Sequence, residues 1–273
     1  MVPALTTSGI ALFAISYDSV AVLADFATKH GITFPLLSDD GSQVIRRLGL
    51  INAGVREDHA FYGIKPNPRH VDLPYPGVYV LDQSGVVSQK RFHESYRERD
   101  TGAGLLGRVL GIAAPVSGAE TRIDGETVYV RARLDSPTYA WFQRLNLFVD
   151  VEVAAGYHVY ADPAPAGSAP LSARVDPIDG LEIGTMTWPA SRRQVIDGLD
   201  DEFAVHGGSI QGTCSLTFTG APGAGDHVAR VTVVFQACSD SLCLPPSSVT
   251  LELPLEEVAL VDRTLPKDAT PQS

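Results

Sequence analysis

The segment Phe235-Gln-Ala-Cys238-Ser-Asp-Ser-Leu-Cys243-Leu-Pro-Pro246 holds two of the chain's three cysteines, with four residues between them. Cys238 ends one alternating apolar run and Cys243 opens the next, so the residues between them must turn the chain back. A turn of that length can bring two α-carbons within the roughly 4.4–6.8 Å that a disulfide requires. Closing so small a ring removes little unfolded-chain entropy, so a permanent bridge here would be a modest staple. The other reading is a reversible dithiol held between two strands. A metal site is not expected, because two cysteines with no nearby histidine or second pair cannot complete four ligands. The third cysteine, Cys214, shares a face with Ile210, Leu216 and Phe218 and is expected to be a buried, inert thiol.

The elements that must position these sulfurs change character along the chain. In the first half, Ile10–Ser16 is an apolar run of strand length, the kind buried on both faces of a parallel sheet. Asp18 and Ser19 offer a cap to a helix carrying Val20, Leu23, Ala24 and Ala27, which Gly31 stops. Phe34–Ser38 reads as a short extended piece, and Asp39–Ser42 caps a second helix with Val44, Ile45 and Leu48. Residues 53–76 read as a loop, and Val78–Leu81 with Val86–Phe92 as a hairpin. Leu105, Leu106, Val109 and Leu110 close an α/β layer structure with a last helix. Beyond residues 113–119, a linker, the period becomes two. Val128, Val130, Ala132 and Leu134 alternate with polar residues, as do Leu147, Val149, Val151 and Val153, then Val231, Val233, Phe235 and Ala237. Such runs with Gly, Pro and Asp turns predict an all-β sandwich over 120–260, followed by a frayed tail at 261–273.

Phe235–Pro246 resembles the cysteine motif of the N-terminal periplasmic domain of the DsbD thiol:disulfide interchange proteins. The resemblance covers about residues 120–258 and includes Gly156-Tyr-His-Val-Tyr160, Trp188-Pro189 and Asp201-Glu-Phe203. It implies an immunoglobulin-like sandwich that exchanges disulfides with thioredoxin-like partners. It also implies Cys238 and Cys243 as the redox pair, with Cys243 attacked first. Phe203 would shield the pair, and Asp201 and Glu202 would be acids close enough to raise a thiol pKa and slow its attack. Without the resemblance, Phe203 reads equally as core and Asp201-Glu202 as a solvated turn. Tyr157 and Tyr160 read as sandwich core with hydroxyls at the rim.

Ile15–Ser19, Phe34–Asp39 and Pro76-Gly-Val-Tyr-Val-Leu-Asp-Gln-Ser-Gly85 resemble the peroxiredoxin (AhpC/TSA) branch of the thioredoxin superfamily, over about residues 5–110. The resemblance places a cis-proline at Pro76, although a trans turn proline is the safer reading of the residue alone. Peroxiredoxins carry their reactive cysteine upstream of the strand that corresponds to Ile10–Ser16. Here no cysteine precedes Cys214, so residues 1–112 as given do not make a cysteine peroxidase. The missing first strand of the fold leads to the expectation that a longer gene product supplies it, together with the catalytic motif and an export signal.

Composition closes off other classes. Lys plus Arg is 21 and Asp plus Glu is 32, a formal charge of -11. Residues 1–113 hold 11 of each sign, so the acidic excess lies in the second half and no basic footprint for nucleic acid exists. No apolar run approaches the ~20 residues of a membrane-spanning helix. The seven histidines lack His-x-His or His-Glu-x-x-His spacing, and no phosphate loop or nucleophile elbow occurs. The expectation is a thiol-disulfide oxidoreductase with no cofactor and no metal, acting on thioredoxin-like or other thiol-disulfide proteins in an oxidising, extracytoplasmic compartment. Two alternatives remain: a peroxiredoxin-type antioxidant completed by an upstream cysteine, and a non-catalytic interaction module with a structural disulfide.

Overall fold

The computed structural model describes residues 2–55, 72–93, 98–112, 120–123, 125–195, 202–219 and 225–258. The chain divides into two compact units, Met1–Pro115 and Val116–Ser273. The linker expected at 113–119, most of the 53–76 loop and the tail lie outside the described residues. Among those residues no helix is long and apolar enough to cross a membrane.

In the first unit, the opening residues form a helix, α1 (Val2–Thr7), which the sequence does not announce. It buries Leu5 and ends at Gly9, whose φ of 69° is the left-handed conformation glycine adopts without penalty. The strand expected over Ile10–Ser16 contracts to β1 (Ala14–Ser16), which pairs in parallel with β2 (Leu36–Ser38). It is not buried on both faces: Phe13, Ile15 and Leu37 are exposed, because β1 and β2 form a two-stranded sheet among the described residues. Between them runs α2 (Val20–Lys29), capped where expected by the Ser19 hydroxyl, which accepts from the Val22 N–H. Asp39 caps α3 (Gln43–Arg47), its carboxylate accepting from the N–H groups of Val44 (3.0 Å) and Ile45 (2.8 Å). The hairpin is β3 (Gly77–Leu81) with β4 (Val87–Phe92), its turn held by the Asp82 carboxylate. After β5 (Arg99–Asp100), the expected last helix is one short turn, Gly102–Gly104, continued as a π-helical turn over Leu105–Val109.

The second unit is a β-sandwich. Its strands are β6 (Glu120–Ile123), β7 (Val128–Leu134), β8 (Thr138–Tyr139), β9 (Gln143–Val153), β10 (His158–Tyr160), β11 (Ser172–Val175), β12 (Leu181–Ile183) and β13 (Arg192–Val195). Then follow β14 (Glu202–His206), β15 (Gly208–Phe218), β16 (His227–Phe235), β17 (Ala237–Cys238) and β18 (Ser247–Glu257). One sheet has the order β12-β15-β9-β7-β6, all antiparallel, and the facing sheet the order β11-β16-β18-β8. The alternation read from the sequence is the burial pattern: Val128, Val130, Ala132 and Leu134 are buried, as are Leu147, Val149, Val151 and Val153 of β9 and Val231, Val233 and Phe235 of β16. These side chains form one contiguous core between the two sheets. A third, small antiparallel sheet, β13-β14-β10-β17, carries the cysteine pair.

Candidate functional site

Cys238 and Cys243 form a disulfide, with α-carbons 4.1 Å apart. Cys238 ends β17, and the turn between the two is held by the Ser239 N–H donating to the Leu242 carbonyl at 2.8 Å. The Ser239 hydroxyl accepts from the Leu242 N–H at 3.1 Å. The return strand is fixed by Gln236, a buried residue that sequence reasoning passed over. Its amide donates to the Leu244 carbonyl (3.0 Å) and accepts from the Ala169 N–H (3.0 Å). A glutamine two positions before a cysteine carries no recognisable signal until the chain is folded.

The small sheet has two faces with different surroundings. Val159 of β10 and its cross-strand partner Ala237 belong to the main sandwich core. Their neighbours, one residue along, point the other way. Tyr160, Val205 and Cys238 form a separate cluster, against which Ala164 and Phe203 pack. Cys238 is therefore wholly buried, but by this outer cluster and not by the sandwich core. Cys243, by contrast, is exposed, as is Leu242 beside it. The two sulfurs of one bond thus belong to residues on opposite sides of the solvent boundary.

Tyr160 lies in this cluster and not in the sandwich core, contrary to the reading from its strand. Its hydroxyl is 3.8 Å from Cys243 Sγ, and burial pushes its pKa up, so the phenol keeps its proton and can donate to the sulfur. Tyr157 does pack against the main core. Phe203 is half-buried on β14, with its ring edge-on to Tyr160 at 6.4 Å. Glu202, at the start of β14, is exposed, and Asp201 lies outside the described residues. The Tyr75–Pro76 bond is trans, so Pro76 does not have the cis geometry that the resemblance places there; the cis bond among the described residues is Asp162–Pro163. No group of His, Cys, Asp and Glu that could hold a metal occurs among the described residues.

Cys214 is free and buried on the inner face of β15, as its neighbours predicted. Burial raises its pKa to about 11. At pH 8 only about one molecule in 10³ carries the thiolate, so the folded, oxidised chain should take up no thiol reagent on the timescale of an exposed cysteine. Mass spectrometry after iodoacetamide at pH 8, with and without denaturant, checks this. Modification of Cys214 without denaturant would show that the sandwich opens.

Residues 137–255 match the family model described as thiol:disulfide interchange protein DsbD, N-terminal, and residues 1–90 match the AhpC/TSA family. The chain joins an AhpC/TSA-type segment to a DsbD N-terminal-type domain. The N-terminal periplasmic domain of ScsB from Proteus mirabilis is similar at 15% identity and a TM-score of 0.39, covering 50% of this chain and 51% of its own. The Neisseria meningitidis DsbD N-terminal domain in the reduced form is similar at 14% identity and a TM-score of 0.29, covering 54% of this chain and 90% of its own. The chain thus spans about half the length of the ScsB structure that it matches. No curated protein matches it. The fold class is accordingly a thioredoxin-like α/β segment followed by an immunoglobulin-like sandwich, and the segment that matches the thiol:disulfide interchange model carries a disulfide between Cys238 and Cys243.

Proposed function

We propose that the Cys238–Cys243 pair exchanges disulfides with thioredoxin-like or other thiol-disulfide proteins, in an extracytoplasmic compartment. One observation carries the reading: Cys243 is open to a partner, while Cys238 is covered by a side-chain cluster separate from the sandwich core. A partner thiolate attacks Cys243 Sγ, the electron pair leaves on Cys238 Sγ, and a mixed disulfide joins the two proteins. Phe203 acts as the shield, since shifting one half-buried ring uncovers Cys238 without disturbing the core residues on the other face. Asp201 and Glu202, the two residues before Phe203 in the chain, supply negative charge next to it in sequence. A permanent staple needs neither an exposed sulfur nor a removable cover.

A redox titration of the full chain against a glutathione or dithiothreitol couple tests this, with the thiols counted by alkylation. The expected result is a single two-electron transition between about -120 and -300 mV, the range of exchange proteins, in which two of the three cysteines cycle together. A midpoint below about -300 mV makes the bond structural and ends the reading.

A further inference from the structure

His158 is the cross-strand partner of Cys238 in the pairing of β10 with β17. Directly opposed residues of an antiparallel pair share a face, with β-carbons roughly 4.5–5.5 Å apart, so His158 and Cys238 are nearest neighbours on this face. The same alternation puts Tyr160 beside it, and the His158 and Tyr160 rings meet edge-on at 5.6 Å. His158 is 2% exposed, yet among the described residues its Nε2 has no hydrogen-bond partner. A buried polar atom without a partner costs on the order of 1–3 kcal/mol, and such atoms are rare enough to need a reason.

Among the described residues the other groups on this face are few. Arg192 of β13 pairs with Val205 and so shares the face, and Asp240 lies in the cysteine turn. Glu202 and His206 lie on the opposite face of β14, by its alternation with Phe203 and Val205. Burial first, then the Arg192 charge, holds His158 below the ordinary imidazole pKa, with Asp240 opposing them. His158 is therefore neutral at neutral pH and has a lone pair to offer.

We propose that His158 is the general base for the closing half of the exchange, its Nε2 accepting the proton of the Cys238 thiol. This rests on the exchange proposed above. When the reduced chain hands electrons on, Cys243 first forms a mixed disulfide with a partner's cystine. Cys238 Sγ then attacks Cys243 Sγ: the Cys238–Cys243 bond forms, the bond from Cys243 to the partner breaks, and the electron pair leaves on the partner sulfur. The proton from Cys238 passes to His158 Nε2 and from there to solvent or to the departing thiolate. A buried thiol with no base beside it would have to shed that proton into an apolar pocket. In the reverse direction a proton taken from solvent passes through His158 Nε2 to the Cys238 thiolate.

The test uses the fully reduced full chain with limiting dithiobisnitrobenzoate, which releases one coloured thiolate when Cys243 attacks and a second when Cys238 closes the bond. In the unaltered chain the second rate is expected to level off with rising pH once His158 is neutral. In His158→Gln and His158→Phe, the ratio of the second rate to the first falls on the order of 10²-fold at neutral pH, and the second rate then climbs about tenfold per pH unit. An unchanged ratio and pH profile in both variants overturns the proposal. Loss of the first release in both variants also overturns it, because His158 would then be holding the turn in place. Absence of any second release in the unaltered chain sinks the exchange reading itself, which separates the two failures.

Discussion

In the variant Cys238→Ser, the surviving Cys243 thiol is expected to react with iodoacetamide on the order of 10²-fold faster than Cys238 does in Cys243→Ser. The reason is the solvent boundary that runs through the pair. Cys243 is exposed, whereas Cys238 is fully buried among Tyr160, Val205 and Phe203. Thiol alkylation needs a thiolate and a path to it, and burial in apolar surroundings reduces both. Cys214 gives the internal scale: its pKa rises from 9.0 to about 11 on burial, which leaves about 10²-fold less thiolate. With a thioredoxin-like partner, both variants fail to complete exchange. Only Cys238→Ser accumulates a mixed disulfide, because its attacked sulfur stays accessible and nothing resolves the adduct. Losing the bond costs about 2 kcal/mol for so small a ring, which leaves the sandwich folded in both variants. Equal alkylation rates, or an adduct that accumulates in Cys243→Ser, would remove the asymmetry on which the proposed function depends.

The part of this site legible in the sequence was local. Four residues between cysteines, at the junction of two alternating runs, announced a closed turn, and the strict alternation of Val128–Leu134 and Leu147–Val153 announced the sandwich. Alternation fixes which residues share a face, but not what that face meets. Tyr160 therefore read as core although it belongs to the outer cluster, and His158 drew no notice until β10 was seen opposite β17. The first unit was less legible for a related reason. Ile10–Ser16 is apolar enough for a doubly covered strand, but only Ala14–Ser16 finds a partner among the described residues. Val2–Thr7 is too short for a helical period to register in its sequence. Gln236 marks a different limit, since its value lies in two backbone groups, Leu244 eight residues on and Ala169 67 residues back, which only the fold brings together.

Phe218→Ala should be the most damaging single substitution in the sandwich, costing about 3–5 kcal/mol. Phe218 ends β15 fully buried, and its ring lies at the meeting of the two large sheets. Tyr139 of β8 stacks on it with centroids 3.9 Å apart, His227 of β16 stacks at 5.3 Å, and Trp141 meets it edge-on at 6.4 Å. Tyr139 cannot move into the vacated space cheaply, because its hydroxyl donates to the Gly225 carbonyl at 2.7 Å. Burial and the neighbouring Glu257 and Asp226 push the Tyr139 pKa up to about 12, so that donor persists across the working pH range. Trp141 is tied down as well, its indole N–H donating to Glu257 at 2.6 Å. Two of the three rings that wall the cavity, Tyr139 and Trp141, thus have their own anchors, the condition under which a large-to-small change approaches its full cost. Against a usual total of 5–15 kcal/mol, such a loss takes a large part of the unit's stability and should lower its thermal midpoint by roughly 10–20 °C. Phe218→Leu, which keeps most of the volume, should recover more than half of the loss. Chemical denaturation of the full chain, followed by near-ultraviolet circular dichroism, measures both. A cost under about 1 kcal/mol for Phe218→Ala would mean that the stacked rings collapse freely and do not hold the two sheets together.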